Sequence, residues 1–137
     1  VALLQQGRPR EAAAIMAEAH CRLCQVRGPT DRRTLHMAGT LGEALCDLGR
    51  PEEAVRMLVS VVDGLKDMYG ADHAATLVAR SALAYSIALA EDGPRGKALL
   101  EALHDQQTRL LGSGHFSTGK TAERLRKLAA GVAAEGR

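Results

Sequence analysis

Apolar residues recur at spacings of three and four along almost the whole chain, in blocks that end at a glycine or a glycine–proline pair. That spacing puts them on one face of a helix with 3.6 residues per turn. The first block, between Gly7 and Gly28, carries Ala12, Ile15, Met16, Ala19, Leu23 and Val26, with Pro9 suited to its first turn. Thr30 or Asp31 can cap the second, which carries Leu35, Ala38, Leu41, Leu45 and Leu48 and stops at Gly49. The third opens on Pro51, Glu52 and Glu53, acids at the positive helix end, and carries Ala54, Met57 or Leu58, Val61, Leu65 and Met68 before Gly70. Asp72 or His73 precedes the fourth, with Leu77, Arg80, Leu83, Ile87 and Ala90. The fifth carries Ala98, Leu99, Leu103, Leu110 and Leu111 and stops at Gly112. The sixth runs from about Phe116 to Ala133, with Leu125, Leu128 and Ala129 inward and Lys120, Arg124, Arg126 and Lys127 around them. Val and Ile lie within these patterns and do not alternate, so strands are not expected.

The blocks repeat. Thr34, Thr76 and Thr118 are separated by equal steps of 42, as are Gly28, Gly70 and Gly112. A fixed period of this length marks stacked helical repeats. The short turns between blocks make successive helices antiparallel. Aligning Ala98 with Ala54 makes the fifth helix start late, after a longer turn over residues 91–95, and predicts distorted packing there. The expected fold class is therefore all-α, a solenoid of about six helices in antiparallel pairs. It forms one domain over 1–137, with repeats near 1–30 (partial), 31–72, 73–114 and 115–137 (partial, capping). Residues 1–7 resemble the end of a helix and its stop, so the chain reads as a fragment of a longer protein.

Composition narrows the function. Apolar residues are 46% of the chain, yet only Tyr69, Tyr85 and Phe116 are aromatic, so the core is built from Ala and Leu. The net charge of +2 is too small to argue for nucleic acid or an anionic membrane. Its distribution is uneven: +3 over 1–42, −5 over 43–92 and +4 over 93–137. That pattern allows head-to-tail self-association, against the plainer reading of unevenly charged solvated faces. No apolar run reaches the roughly 20 residues needed to span a bilayer. Three cysteines without a secreted pattern fit reduced thiols and a cytoplasmic location.

The combination of Thr34-Leu35, Leu41-Gly42, Gly49, Glu53-Ala54, Leu58, Gly70, Asp72-His73, Thr76-Leu77 and Leu83-Ala84, continued by Gly112, His115 and Thr118, resembles the 42-residue tetratricopeptide repeat of the kinesin-light-chain type. Gly93, Ala75 and Arg126 depart from the family pattern. The resemblance implies a right-handed superhelix in which the first helix of each pair lines a concave groove for a peptide or partner protein. Those helices are residues 35–48 and 77–90, with 120–130 at the groove's end. Their groove faces are His36, Gly39, Thr40, Glu43 and Asp47; then Ser81, Tyr85, Ala88 and Leu89; then Lys120, Glu123 and Lys127. Tyr85 is either the central amphipathic anchor of that groove or a side chain that only fills space between helices, two readings of equal weight. An alternative within the resemblance is a regulatory array of a larger bacterial signalling or transcription-control protein. The Ala, Arg and Gly content has the look of a GC-rich bacterial genome.

Two motifs suggest other chemistry. Residues 114–121 match the phosphate-loop pattern GxxxxGK[ST]. Such a loop must leave a strand, and here it leaves a helix and falls on the inter-repeat turn. A weakly bound anion at the helix N-terminus fits better than a nucleotide. His20, Cys21 and Cys24 suggest zinc, with Cys46 and His36 on the next helix, but Cys21 and Cys24 align with Asp63 and Lys66, polar positions of the equivalent helix. Reduced structural thiols are the preferred reading. No nucleophile–base pair or carboxylate dyad stands outside the repeat pattern, so no enzyme, cofactor or metal is expected. The expected function is protein–protein interaction.

Overall fold

The computed structural model describes residues 9–135. Six helices follow one another: α1 (Pro9–Arg27), α2 (Arg32–Asp47), α3 (Pro51–Tyr69), α4 (Ala74–Ala90), α5 (Gly93–Leu111) and α6 (Phe116–Glu135). The described residues contain no strand. The resemblance of residues 1–7 to a helix end lies outside them.

Local chemistry sets the boundaries. Asp31, His73 and His115 occupy one register position, and each side chain accepts a backbone N–H two residues on, from Arg33, Ala75 and Ser117. This satisfies one of the otherwise orphaned first-turn donors. The histidines accept through Nδ1, so each ring carries its proton on Nε2. Gly28, Gly70 and Gly112 turn the chain with φ of +87°, +94° and +90°, which other residues rarely adopt. The periodic threonines close the same turns. Thr76 Oγ1 donates to Gly70 O at 2.8 Å and Thr118 Oγ1 to Gly112 O at 2.9 Å, both hydroxyls buried. Thr34 is equally buried, but its hydroxyl has no partner.

Every helix packs on its neighbours in sequence. In addition, α4 runs closely along α6, whereas α2 touches α4 only sparsely. Thus α2, α4 and α6 make one face, and α1, α3 and α5 stand behind it without approaching one another. Apolar burial recurs on the 42-residue step: Leu35 and Leu77 on the front helices, Leu58 and Leu100 behind them. Each such leucine contributes roughly 1.5–3 kcal/mol by leaving water. The core divides into three clusters: one around Leu41, Leu45 and Leu58 that reaches Ala82 of α4, one around Leu77, Leu100 and Leu103, and a smaller one of Ala38, Val61 and Ala79.

Several sequence expectations need correction. Helix α5 does not start late. It begins at Gly93, 42 residues after Pro51, with Asp92 capping Arg95 N and Pro94 in the first turn. Its inward face is Gly96, Leu100, Leu103 and Gln107, while Ala98, Leu99 and Leu110 are exposed. The Ala98 alignment had shifted the face by two residues. What differs is the turn: α4 runs one residue further than α2, and two residues, Glu91 and Asp92, replace the three at 48–50. The shorter link draws α5 against α4, and Gly96 stands where α1 and α3 have Ala12 and Ala54. A Cβ on Gly96 would sit 2.5 Å from Ala88 N and Cβ. Ile15 and Val26 of α1, Met68 of α3 and Ala129 of α6 also lie exposed, because the apolar stripe is narrower than the spacing of three and four allows.

Candidate functional site

The sparse contact between α2 and α4 opens a cleft on the front face. Its floor is Val61 and Leu65 of α3, and its walls are Met37 and Gly39 of α2 and Val78 and Ala79 of α4. Tyr69 closes one end, with His115 and Phe116 from the start of α6 beside it. The cleft measures about 820 Å³, enough for several side chains of a ligand. Phe116 is 71% exposed, and the Lys120 ammonium lies 5.5 Å from its ring centroid. Tyr69 stacks on His73 at 4.6 Å between centroids.

A second, smaller cleft of about 250 Å³ adjoins the first, where α2, α4 and α6 converge. It is polar: Glu43, Asp47 and Glu123 face Lys120, Arg124 and Lys127, with Tyr85, Cys46 and Ser86 between them. Burial pushes the Tyr85 phenol above its ordinary range, partly offset by the Lys127 ammonium. Burial likewise raises the Cys46 thiol. Its Sγ lies 2.9 Å from Ser86 Oγ, whose hydroxyl donates to Ala82 O at 2.8 Å. The single serine proton is therefore committed, and the thiol is left to donate.

Arg124 holds this region together. It is 8% exposed, donates one N–H to Ser81 Oγ and another to Glu43 Oε1 at 2.8 Å, and so ties α6 to α4 and α2. Ser81 also donates to Val78 O at 3.0 Å.

The structure distributes the sequence-selected residues as follows. His36, Thr40, Glu43 and Lys120 line the large cleft. Glu43, Asp47, Tyr85, Lys120, Glu123 and Lys127 line the small one. Thr40 turns its hydroxyl back to His36 O at 3.1 Å. Ser81 is not a surface residue: it lies fully buried beneath Arg124. Leu89 is exposed but lines neither cleft.

Three functional-looking residues escaped the sequence reading. Helix spacing sets Arg124 with Lys120, Arg126 and Lys127 around the inward leucines, although the 42-residue register sets it on Ala82, a buried position. Gln107, fully buried, donates to Ser117 O and Oγ at 3.0 and 2.8 Å, in the register of Leu65. Phe116 enters the sequence pattern only as a helix start. The register could have exposed the first two, since each puts a polar residue on an apolar repeat position.

The phosphate-loop match at 114–121 leaves α5 and enters α6 through the His115 cap, the same turn that joins α3 to α4. On α1, Cys24 Sγ lies 3.5 Å from His20 Nε2 and Cys21 is exposed. No group of three or more His, Cys, Asp or Glu side chains able to hold a metal ion occurs among the described residues. No helix among them is long and apolar enough to cross a membrane.

Residues 34–75, which take in most of α2, all of α3 and the turn into α4, match the family described as tetratricopeptide repeat. No curated protein matches the chain.

Proposed function

We propose, from the premise that the chain is a tetratricopeptide-repeat protein, that its α2, α4 and α6 face receives a peptide segment of a partner protein. Tetratricopeptide repeats are protein–protein interaction modules. One observation carries the assignment to this face. The chain has only three aromatic side chains, Tyr69, Tyr85 and Phe116, and all three line its two clefts. Aromatic residues at clefts supply large contact area at low entropic cost and dominate binding hot spots. Tyr69 and Phe116 are exposed, and Tyr85, half-buried against Leu77 and Leu100, keeps one edge in the small cleft, so all three are available for recognition. The 42-residue step favours the kinesin-light-chain type of repeat, and the reading assigns the protein no catalytic role.

Panning a random peptide library on the purified protein tests this. Selected peptides should lose roughly tenfold or more in affinity on Tyr85→Ala or Phe116→Ala protein, the scale of a hot-spot truncation. They should be indifferent to Val59→Ala, an exposed residue of α3 outside both clefts. Selected peptides that ignore both aromatic variants would place binding elsewhere.

A further inference from the structure

Stacked repeats touch only their neighbours. The Arg124 to Glu43 ion pair breaks that rule: it joins the front helices of the first and third pairs, 81 residues apart, whose backbones do not approach. Glu43 and Lys120 line both clefts, so the pair stands at the waist between them. Nothing in the repeat requires a cation there, since the register equivalents of Arg124 are Ala82 and Thr40.

The two halves of the pair are unequal. The Arg124 side chain is 9% exposed and pinned by Ser81, whereas that of Glu43 is 39% exposed. If the pair opens, Glu43 swings into water at small cost. The guanidinium stays buried and needs another anion, because an uncompensated buried charge is strongly unfavourable. The surrounding charge points the same way. Arg32, Arg33 and Lys120 line the large cleft, and its one carboxylate is Glu43, already engaged. Among the described residues no carboxylate pairs with Arg32 or Arg33.

We infer that Arg124 is the specificity-determining residue of the groove and Glu43 its internal stand-in. The ligand is an apolar protein segment bearing an aspartate or glutamate side chain at its middle, which displaces Glu43 at the waist and lets the segment occupy both clefts. The inference rests on the peptide-binding reading above. The apolar floor and walls of the large cleft favour such a segment over a phosphate backbone.

Twelve-residue display libraries panned separately on wild-type, Glu43→Gln, Arg124→Lys and Arg124→Gln protein test it. Glu43→Gln retains a hydrogen-bond acceptor for Arg124 but removes the competing charge. Wild-type and Glu43→Gln protein should enrich a central Asp or Glu, Arg124→Lys should retain part of that preference, and Arg124→Gln should lose it. For the best acidic peptide, exchanging its Asp for Asn should cost roughly tenfold on wild-type protein, the low end for a charged hydrogen bond. The same peptide should gain severalfold on Glu43→Gln. Peptides that depend on Tyr85 and Phe116 but carry no central acid would overturn the inference and leave the peptide-binding reading standing. No selectable peptide at all would overturn both. An oligothymidylate 12-mer gaining affinity on Glu43→Gln while acidic peptides do not would assign the groove to phosphate. If Arg124→Gln fails to fold, Glu43→Gln and Arg124→Lys still decide.

Discussion

Gly96→Ala should destabilise this protein, although glycine-to-alanine in a helix interior ordinarily stabilises by about 0.8–1 kcal/mol. The added Cβ would lie 2.5 Å from Ala88 N and Cβ and 2.6 Å from its Cα. Those atoms are backbone and first side-chain carbon, with no torsion to move them aside, so α5 must shift off α4. Overpacking of this kind costs about 1–3 kcal/mol, and contact with backbone places it in the upper half of that range. Subtracting the propensity gain leaves a net loss of about 1–2 kcal/mol, or a fall in Tm of roughly 3–8 °C for a chain of this size. Gly119→Ala is the internal control. It lies inside α6 with nothing within 4 Å of its Cβ position, so only the propensity gain remains and stability should rise by about 0.5–1 kcal/mol. Urea unfolding followed by far-ultraviolet dichroism reads both, provided the slope m is unchanged. A Gly96→Ala midpoint at or above wild type would refute the packing argument. A fall in both variants would refute the propensity argument instead.

Three further outcomes follow from single contacts. Thr76→Val and Thr118→Val each remove a buried hydroxyl's bond to a turn carbonyl and should cost about 1 kcal/mol. Thr34→Val removes a buried hydroxyl without a partner and should be neutral or stabilising, again by urea midpoint. The Glu53 carboxyl is held below the usual range, first by its hydrogen bonds from Arg50, at 2.8 and 2.7 Å. Its stabilising contribution is present above its unfolded value and is lost as pH falls through the depressed folded value. Arg50→Ala should bring the Glu53 titration, read by NMR, back toward the ordinary carboxylate range. Among the thiols, exposed Cys21 should react first with iodoacetamide at pH 8 and Cys46 last, since burial both shields it and holds it protonated. Mass-spectrometric mapping with Cys46 labelled before Cys21 would contradict that order.

How much of this was legible in the sequence depends on the range of the interaction. Helix boundaries follow from contacts a few residues long: the Asp31, His73 and His115 caps, the positive-φ glycines, and the threonine bonds that span six residues. A 42-residue period in those local signals leaves one architecture, because antiparallel pairs joined by the same turn at Gly28, Gly70 and Gly112 stack the same way each time. Eight of the ten residues assigned to the groove line the small or large cleft, once the family resemblance chooses the helices and helix periodicity chooses their faces.

The misses share another cause. Ser81 and Leu89 were placed by periodicity, which orients a side chain but does not say how closely the next helix packs. Beside α6, Ser81 is covered by a residue 43 positions away. The start of α5 was misjudged because Ala98, two residues on, matches Ala54 in residue type better than Gly96, which holds the register position. Only the shortened turn at Glu91 and Asp92, which forces a glycine into the close approach at Ala88, resolves it. Sequence by itself determined the fold class and the period, since each rests on local geometry repeated, and the family resemblance implied which helices share a face. Tertiary structure alone decided the opening between α2 and α4 and the reach of Arg124 to Glu43. The opening and the reach depend on distances between elements, and a one-residue change in a turn alters them while the apolar pattern stays the same, whereas the burial of Arg124 is already implied by its register position on Ala82.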